Sequence, residues 1–379
     1  MKRLLLRGTI ITPSEEIASG SVLVEDGLIT WVGPGEPKDH GNLERLGGDD
    51  AIIAPGFIDL QVNGFGGHDA ATGVEAIRQI ARRLPETGVT GFLPTIITAP
   101  LRDAGTFPAV AAEAGEADGA GARVLGAHLE GPFLNPQRRG CHDASLMIEP
   151  SPDNLRPLLT NPCRLITLAP ELPGGMDAVR TLSRAGVLVS AGHSNATYEQ
   201  GRAAIDAGVR FGTHLFNAMS PLHHREPGLP GALLSADQAV TGLIADGYHV
   251  HEALLAITFA RKGEGGVALT TDQVAAAGMP PGRYQLGGGE VISDGHTVRR
   301  AEGMLAGSVA TMPQLIRIAA SLAGSSLRAA LAMASLTPSR ALGLPLGRIT
   351  PGAAADLVVM SRDLQVRATL VAGRIVFKA

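Results

Sequence analysis

The sequence predicts an α/β fold: a closed (β/α)8 TIM-type barrel with a small split β-sandwich domain built from both chain ends. Three observations predict it. Eight short apolar runs recur through the middle of the chain, most of them separated by segments of helical periodicity. Polar residues gather at the carboxyl ends of those runs, where the active sites of such barrels sit. The two termini carry further short strands, and neither piece is large enough to bury a core alone.

The termini come first. Residues 2–11 (KRLLLRGTII) and 21–33 (SVLVEDGLITWVG) read as β, with Asp26-Gly27 as a hairpin signal. The closing GRITPGAAADLVVMSRDLQVRATLVAGRIVFKA holds three short strands, with Gly373 at a turn. Residues 1–54 and 347–379 are therefore expected to pair into the β-sandwich, and 55–346 to form the barrel. The barrel strands are expected at 55–64, 89–98, 122–133, 163–171, 186–194, 209–219, 240–250 and 267–278, with helices at 74–84, 175–186, 197–208 and 251–263. An open doubly wound sheet is the competing architecture. It requires a glycine-rich phosphate fingerprint after its first strand, and QVNGFGGHDA has the wrong spacing. Gly287–Gly289 reads as hairpin chemistry within an excursion after strand eight. A helical tail follows from Thr311 to Leu342, broken near Gly324 and at Pro338.

Composition excludes several function classes. Aromatic residues make up 3% and the formal charge is −4, so no basic face or aromatic ladder offers itself to nucleic acid. Cys141 and Cys163 give no disulfide framework and point to a reducing compartment. The apolar run in MKRLLLRGTIITPSEE is too short for a signal peptide, and no run reaches the roughly 18–20 apolar residues that span a bilayer. A cytoplasmic protein with no membrane or nucleic-acid partner is expected.

The stretch Ser190–Met219 orders the chemistry. It reads as strand, helix and strand, with His193 at the end of one strand and His214 near the end of the next. In a βα barrel these ends converge on one mouth. Alone, the two histidines could equally cap their strands by hydrogen bonding. On the third strand, His128 and Glu130 point to one face. Glu130 with His193 and His214 supplies two nitrogens and a carboxylate oxygen, the three-ligand set of an open catalytic zinc site. Asp272 ends strand eight in LTTDQ, placed to take a proton from metal-activated water and hand it to a leaving amine, or else to cap the next helix. His249, in ADGYHV, could polarise a carbonyl or be a hydrogen-bonded surface histidine.

The runs PGFIDLQVNG, HLEGPF, TLAPE, VSAGHSNAT, THLFNAM, REPGL, IADGYHV and LAGS resemble the N-acetylglucosamine-6-phosphate deacetylases of the amidohydrolase superfamily, over nearly the whole chain. The resemblance implies hydrolytic deacetylation of N-acetyl-D-glucosamine 6-phosphate to D-glucosamine 6-phosphate and acetate, in amino-sugar catabolism and cell-wall sugar recycling. It implies Glu130, His193 and His214 as metal ligands, Asp272 as acid/base, and His249 on the amide carbonyl. It places Cys141 and His142 along the sugar phosphate, Asn217 and Ala218 against substrate, and Leu305, Ala306 and Gly307 in a loop over the sugar. It assigns Arg225 to the phosphate, reaching across from the second subunit of a homodimer. Many amidohydrolases carry His-x-His on strand one; here Gln61 and Asn63 stand there as vestigial second-metal positions, so the resemblance is to the single-metal branch. One divalent ion per subunit is expected, zinc first, with Fe2+, Mn2+ or Co2+ as alternatives. After Asp272 the run QVAAAG departs from the ATAPAG of many relatives, which bears on local substrate contacts. The readings that compete are an N-acetylgalactosamine 6-phosphate deacetylase, another N-acyl hydrolase, a non-catalytic barrel that binds, and a cysteine hydrolase using Cys141 with His142.

Overall fold

The computed structural model describes residues 3–38, 43–116, 119–161, 163–322 and 325–379. Eight parallel strands form the barrel: Phe57–Val62, Val89–Ile97, His128–Glu130, Leu165–Leu168, Leu188–Ala191, Val209–Gly212, Val240–Leu243 and Val267–Leu269. Each pairs with the next in chain order. Among the described residues no ladder joins the eighth strand to the first; one bridge, Val62 with Gln273, spans that seam. Helices at Val74–Arg83, Leu101–Gly115, Pro152–Thr160, Gly175–Arg184, Tyr198–Ala207, Gly228–Ser235, Glu252–Gly266 and Met312–Ser321 follow the successive strands.

The sequence explains why these strands are central. All nine residues of Val89–Ile97 are buried, as a parallel strand covered on both faces requires. Leu93, Leu165, Phe211 and Ala268, from strands two, four, six and eight, pack as one cluster, the alternate-strand layer that fills such barrels. Small polar residues lie above it. Thr213 Oγ1 is 2.6 Å from both Thr167 Oγ1 and Ser190 Oγ, and His128 Nε2 is 2.8 Å from Thr167 Oγ1. Burial pushes His128 down to about 4, so it packs there as a neutral ring. Hydroxyls that satisfy one another thus floor the mouth.

The chain ends meet as expected, in one continuous seven-stranded sheet. Its order is Arg374–Lys378, Val366–Val371, Leu357–Ser361, Glu44–Pro55, Arg3–Ile11, Glu16–Glu25 and Leu28–Pro34. Glu44–Pro55 joins the halves, parallel to Arg3–Ile11 and antiparallel to Leu357–Ser361. Leu4, Leu6, Val22, Ile53, Leu357 and Leu370 share its core. Asp26-Gly27 turns a hairpin with φ of 47° and 87°, and Gly287-Gly288 turns the hairpin of the excursion.

Two expectations are corrected. The strands are shorter than the apolar runs: the third covers Arg123–Val124 and His128–Glu130 of 122–133, and the eighth stops at Leu269. Apolar runs continue past strand ends because the loops there are buried too. The helical tail breaks at Ser335, not at Pro338, which lies in the first turn of Leu336–Ala341. Proline is tolerated there because first-turn N–H groups have no helical partner. The break expected near Gly324 lies outside the described residues.

Candidate active site

The predicted residues converge at the carboxyl end of the barrel. Glu130 is the last residue of strand three. His193 and His214 lie two residues beyond strands five and six, and Asp272 three beyond strand eight. These last three adopt left-handed backbone, with φ of 47°, 33° and 52°. Non-glycine residues take that conformation uncommonly, aspartate and histidine more than most, and it recurs at functional sites where the surroundings hold it. Asp272 caps no helix; its Oδ1 accepts a hydrogen bond from Asn63 Nδ2 at 2.7 Å.

Glu130 Oε1 lies 2.9 Å from His214 Nε2 and 3.2 Å from His193 Nε2, and the two nitrogens are 3.1 Å apart. All three residues are buried. The proton on His193 can be placed. Its Nδ1 is 2.9 Å from the Arg138 carbonyl oxygen, which only accepts, so Nδ1 is the N–H and Nε2 a lone pair. That lone pair faces a carboxylate oxygen and a second ring nitrogen. Electron-rich atoms this close repel unless a positive charge sits among them. The donor set, two imidazoles and one carboxylate, suits a divalent cation with open positions. Among the described residues His214 Nδ1 is buried without a partner.

His142 completes the wall. Its Nδ1 accepts from the Thr98 backbone N–H at 3.2 Å, so its other nitrogen carries the proton and faces Glu130 Oε2 at 3.6 Å. Burial and the neighbouring His193 push His142 down to about 4, keeping it neutral. Burial alone would raise the Glu130 carboxyl; the surrounding histidines, His142 first, hold it well below the usual range. Burial, then the charge on Glu130, pushes Asp272 up to about 8. Cys141 is pushed up to about 12 by burial and then by Glu130 and Asp272, which denies it the thiolate a cysteine nucleophile requires.

These side chains line a cavity of about 620 Å³. Asn63, Asn217, Ala218, His249, Leu305 and Gly307 also line it. Ala306 does not; its side chain packs with Ile97, Val274 and Val298. Arg225 is absent from that lining and stands in an exposed loop beside His224. His249 lies six residues past strand seven, not at its end, in a turn built on Asp246. A larger cavity of about 970 Å³ lies between barrel and terminal sheet, but none of the strand-end polar residues reaches it.

Several functional groups escaped the sequence reading. Asp246 Oδ2 lies 2.7 Å from His249 Nδ1, and the D-x-x-H spacing in ADGYHV was a signal that could have found it. The Arg138 carbonyl is backbone and carries no signal. Arg138, Arg139 and Arg299 also line the cavity, where guanidinium groups suit an anionic substrate.

Comparison with known proteins agrees with this geometry. The pattern of the amidohydrolase family matches residues 52–376. This chain belongs to the amidohydrolase family. It is a hydrolase, and the family together with the Glu130–His193–His214 cluster indicates a divalent metal site. This amidohydrolase is 38% identical to human N-acetylglucosamine-6-phosphate deacetylase, over 96% of this chain and 94% of that one. It is 36% identical to N-acetylgalactosamine-6-phosphate deacetylase of Escherichia coli O157:H7, over 99% of each. Among solved structures it resembles a point mutant of N-acetyl-D-glucosamine-6-phosphate deacetylase from Mycobacterium smegmatis in complex with N-acetyl-D-glucosamine-6-phosphate. That match has a TM-score of 0.94 and 34% identity, over 100% of both chains. The Pasteurella multocida N-acetylglucosamine-6-phosphate deacetylase matches with a TM-score of 0.92 and 30% identity, over 98% of this chain and 99% of that one. No helix of the described residues is long and apolar enough to cross a membrane.

Proposed function

We propose that this amidohydrolase removes the acetyl group from N-acetyl-D-glucosamine 6-phosphate, giving D-glucosamine 6-phosphate and acetate. The observation that carries the reading is the convergence of Glu130, His193 and His214 within 3.2 Å of one another beside Asp272, in a chain whose full-length relatives bear that name. Glu130 Oε1, His193 Nε2 and His214 Nε2 would hold one divalent ion, with zinc the best match to the donor set. Bound there, it supplies Lewis acidity, polarising the acetamide carbonyl and acidifying water towards a pKa of ~7.

The remaining steps belong to the chain. Asp272 accepts the proton of the attacking water on its carboxylate and passes it to the departing amine nitrogen. Asn63 holds one carboxylate oxygen, which leaves Oδ2 for the proton. His249, its Nδ1 held by the Asp246 carboxylate, steadies the carbonyl oxygen from Nε2. Asn217, Ala218, Leu305 and Gly307 shape the sugar pocket, and Arg225 of a second subunit meets the phosphate in a cytoplasmic homodimer.

Acetate release from N-acetylglucosamine 6-phosphate tests the reading. Asp272→Asn is expected to lower kcat by about 10²–10⁴-fold, the range for losing a general acid–base, while metal content stays unchanged. Deacetylation near the wild-type rate contradicts the mechanism. N-acetylgalactosamine 6-phosphate, the substrate in the name of the E. coli O157:H7 relative, is the competing substrate, and a parallel assay with it decides the epimer.

A further inference from the structure

One buried charge has no part in the mechanism above. Asp59, on the first barrel strand, is completely buried and does not line the cavity. Its Oδ1 accepts from the backbone N–H of Gln61 at 3.2 Å, from Thr270 Oγ1 at 3.0 Å, and from the backbone N–H of Thr271 at 3.3 Å. Its Oδ2 accepts from Thr271 Oγ1. Two of these donors are backbone groups that cannot turn away. Three of the four belong to residues 270–271, immediately before Asp272.

The grip passes along the chain. Thr271 Oγ1, donating to Asp59, accepts in turn from the Gln273 N–H at 3.3 Å, so both neighbours of Asp272 are tied to one carboxylate. Ser308 closes the other side, its N–H on the Asp272 carbonyl at 2.8 Å and its hydroxyl on the Thr271 carbonyl. Between these clamps Asp272 takes a φ of 52°, a conformation that must be held. The clamp stands where the barrel has no ladder, at the seam between strands eight and one. There Asp59 ties the first strand to residues 270–271, next to the backbone bridge of Val62 with Gln273.

We propose that Asp59 is a positioning residue for the reaction: through Thr271 it fixes the backbone of Asp272 and so aims that carboxylate at the reacting centre. This rests on the reading of Asp272 as the proton-transfer group. A carboxylate is required because one side chain must accept four hydrogen bonds and donate none. Asparagine would turn an N–H towards Thr271 Oγ1.

The test compares Asp59→Asn, Thr271→Val, Thr271→Ser and Asp272→Asn in the metal-loaded enzyme. Acetate release from N-acetylglucosamine 6-phosphate and metal stoichiometry are measured for each. Asp59→Asn and Thr271→Val are expected to lower kcat by roughly 10–100-fold, the scale of a small misplacement, with KM within about threefold and one metal retained per chain. Thr271→Ser keeps the hydroxyl and is expected to retain kcat within about threefold of wild type. A merely structural role would not lower kcat while leaving KM and metal content unchanged. Should Asp59→Asn fail to fold, the valine–serine pair at 271 carries the test alone. Wild-type kcat in Thr271→Val, or equal losses in Thr271→Val and Thr271→Ser, overturns the proposal while Asp272→Asn remains inactive. Full activity of Asp272→Asn instead overturns the reading beneath it.

Discussion

His249 reaches the cavity with its Nδ1 committed to Asp246, and His193 with its Nδ1 committed to the Arg138 carbonyl. The two rings are the same residue type in opposite electrostatic settings. A neutral carbonyl leaves His193 an electron donor suited to a cation. A carboxylate orients the ring of His249 towards a hydrogen-bond acceptor. Residue type was legible in the sequence, but these settings were not, because they depend on partners that folding brings close. Asn63 shows the same limit: read as a relic of a second metal site, it holds Asp272. Asp59 carries a prediction at this scale. Burial raises it from 3.8 to about 6, despite its bonds to Thr271, Gln61 and Thr270. The folded state therefore holds the Asp59 proton more tightly than the unfolded chain does, although the group is still ionised at pH 7. Its ionisation costs nothing below pH ~4, and the cost grows as pH rises towards 6, reaching about 3 kcal/mol by pH 7. Asp272 is the carboxyl nearby whose charge couples to it. The stability of wild type relative to Asp59→Asn should fall by about 2 kcal/mol between pH 4.5 and 7. Urea unfolding at the two values checks this, and a constant difference contradicts it.

The elements were legible in order and type. Eight strands and most helices follow from apolar periodicity, because parallel strands buried on both faces leave unbroken apolar runs. Their ends were not legible. Residues after strands three and eight are as buried as the strands themselves, since the mouth loops pack on one another. The loop at 305–307 is an example. Gly307 has a φ of 66°, and a Cβ there would lie 2.5 Å from Val274 Cγ1 and 2.7 Å from the Asp272 carbonyl oxygen. Gly307→Ala is therefore expected to cost about 1–3 kcal/mol of stability and to lower kcat by displacing Asp272. Thermal unfolding and acetate release check both effects, and an alanine variant indistinguishable from wild type rejects the close packing.

At the scale of the whole molecule, the chain ends close one sheet around Glu44–Pro55, which leads directly into the first barrel strand. We propose that residues 1–54 and 347–379 form a unit distinct from the barrel at 55–346. Arg225 stands outside the cavity of its own chain, as a residue serving a neighbour's site would. If it does, Asp272→Asn and Arg225→Ala subunits complement each other. Subunit exchange should then restore activity to about a quarter of wild type, because half the dimers are mixed and each has one complete site. No recovery above the parent variants contradicts an arginine supplied across the interface.

Every step of the chemistry presupposes a cation among Glu130, His193 and His214. Elemental analysis of the purified wild-type protein and of His193→Ala measures this most directly. One divalent ion per wild-type chain, lost in the alanine variant, is the predicted result. Full metal occupancy in His193→Ala, or a wild-type protein that is active with none bound, would contradict it.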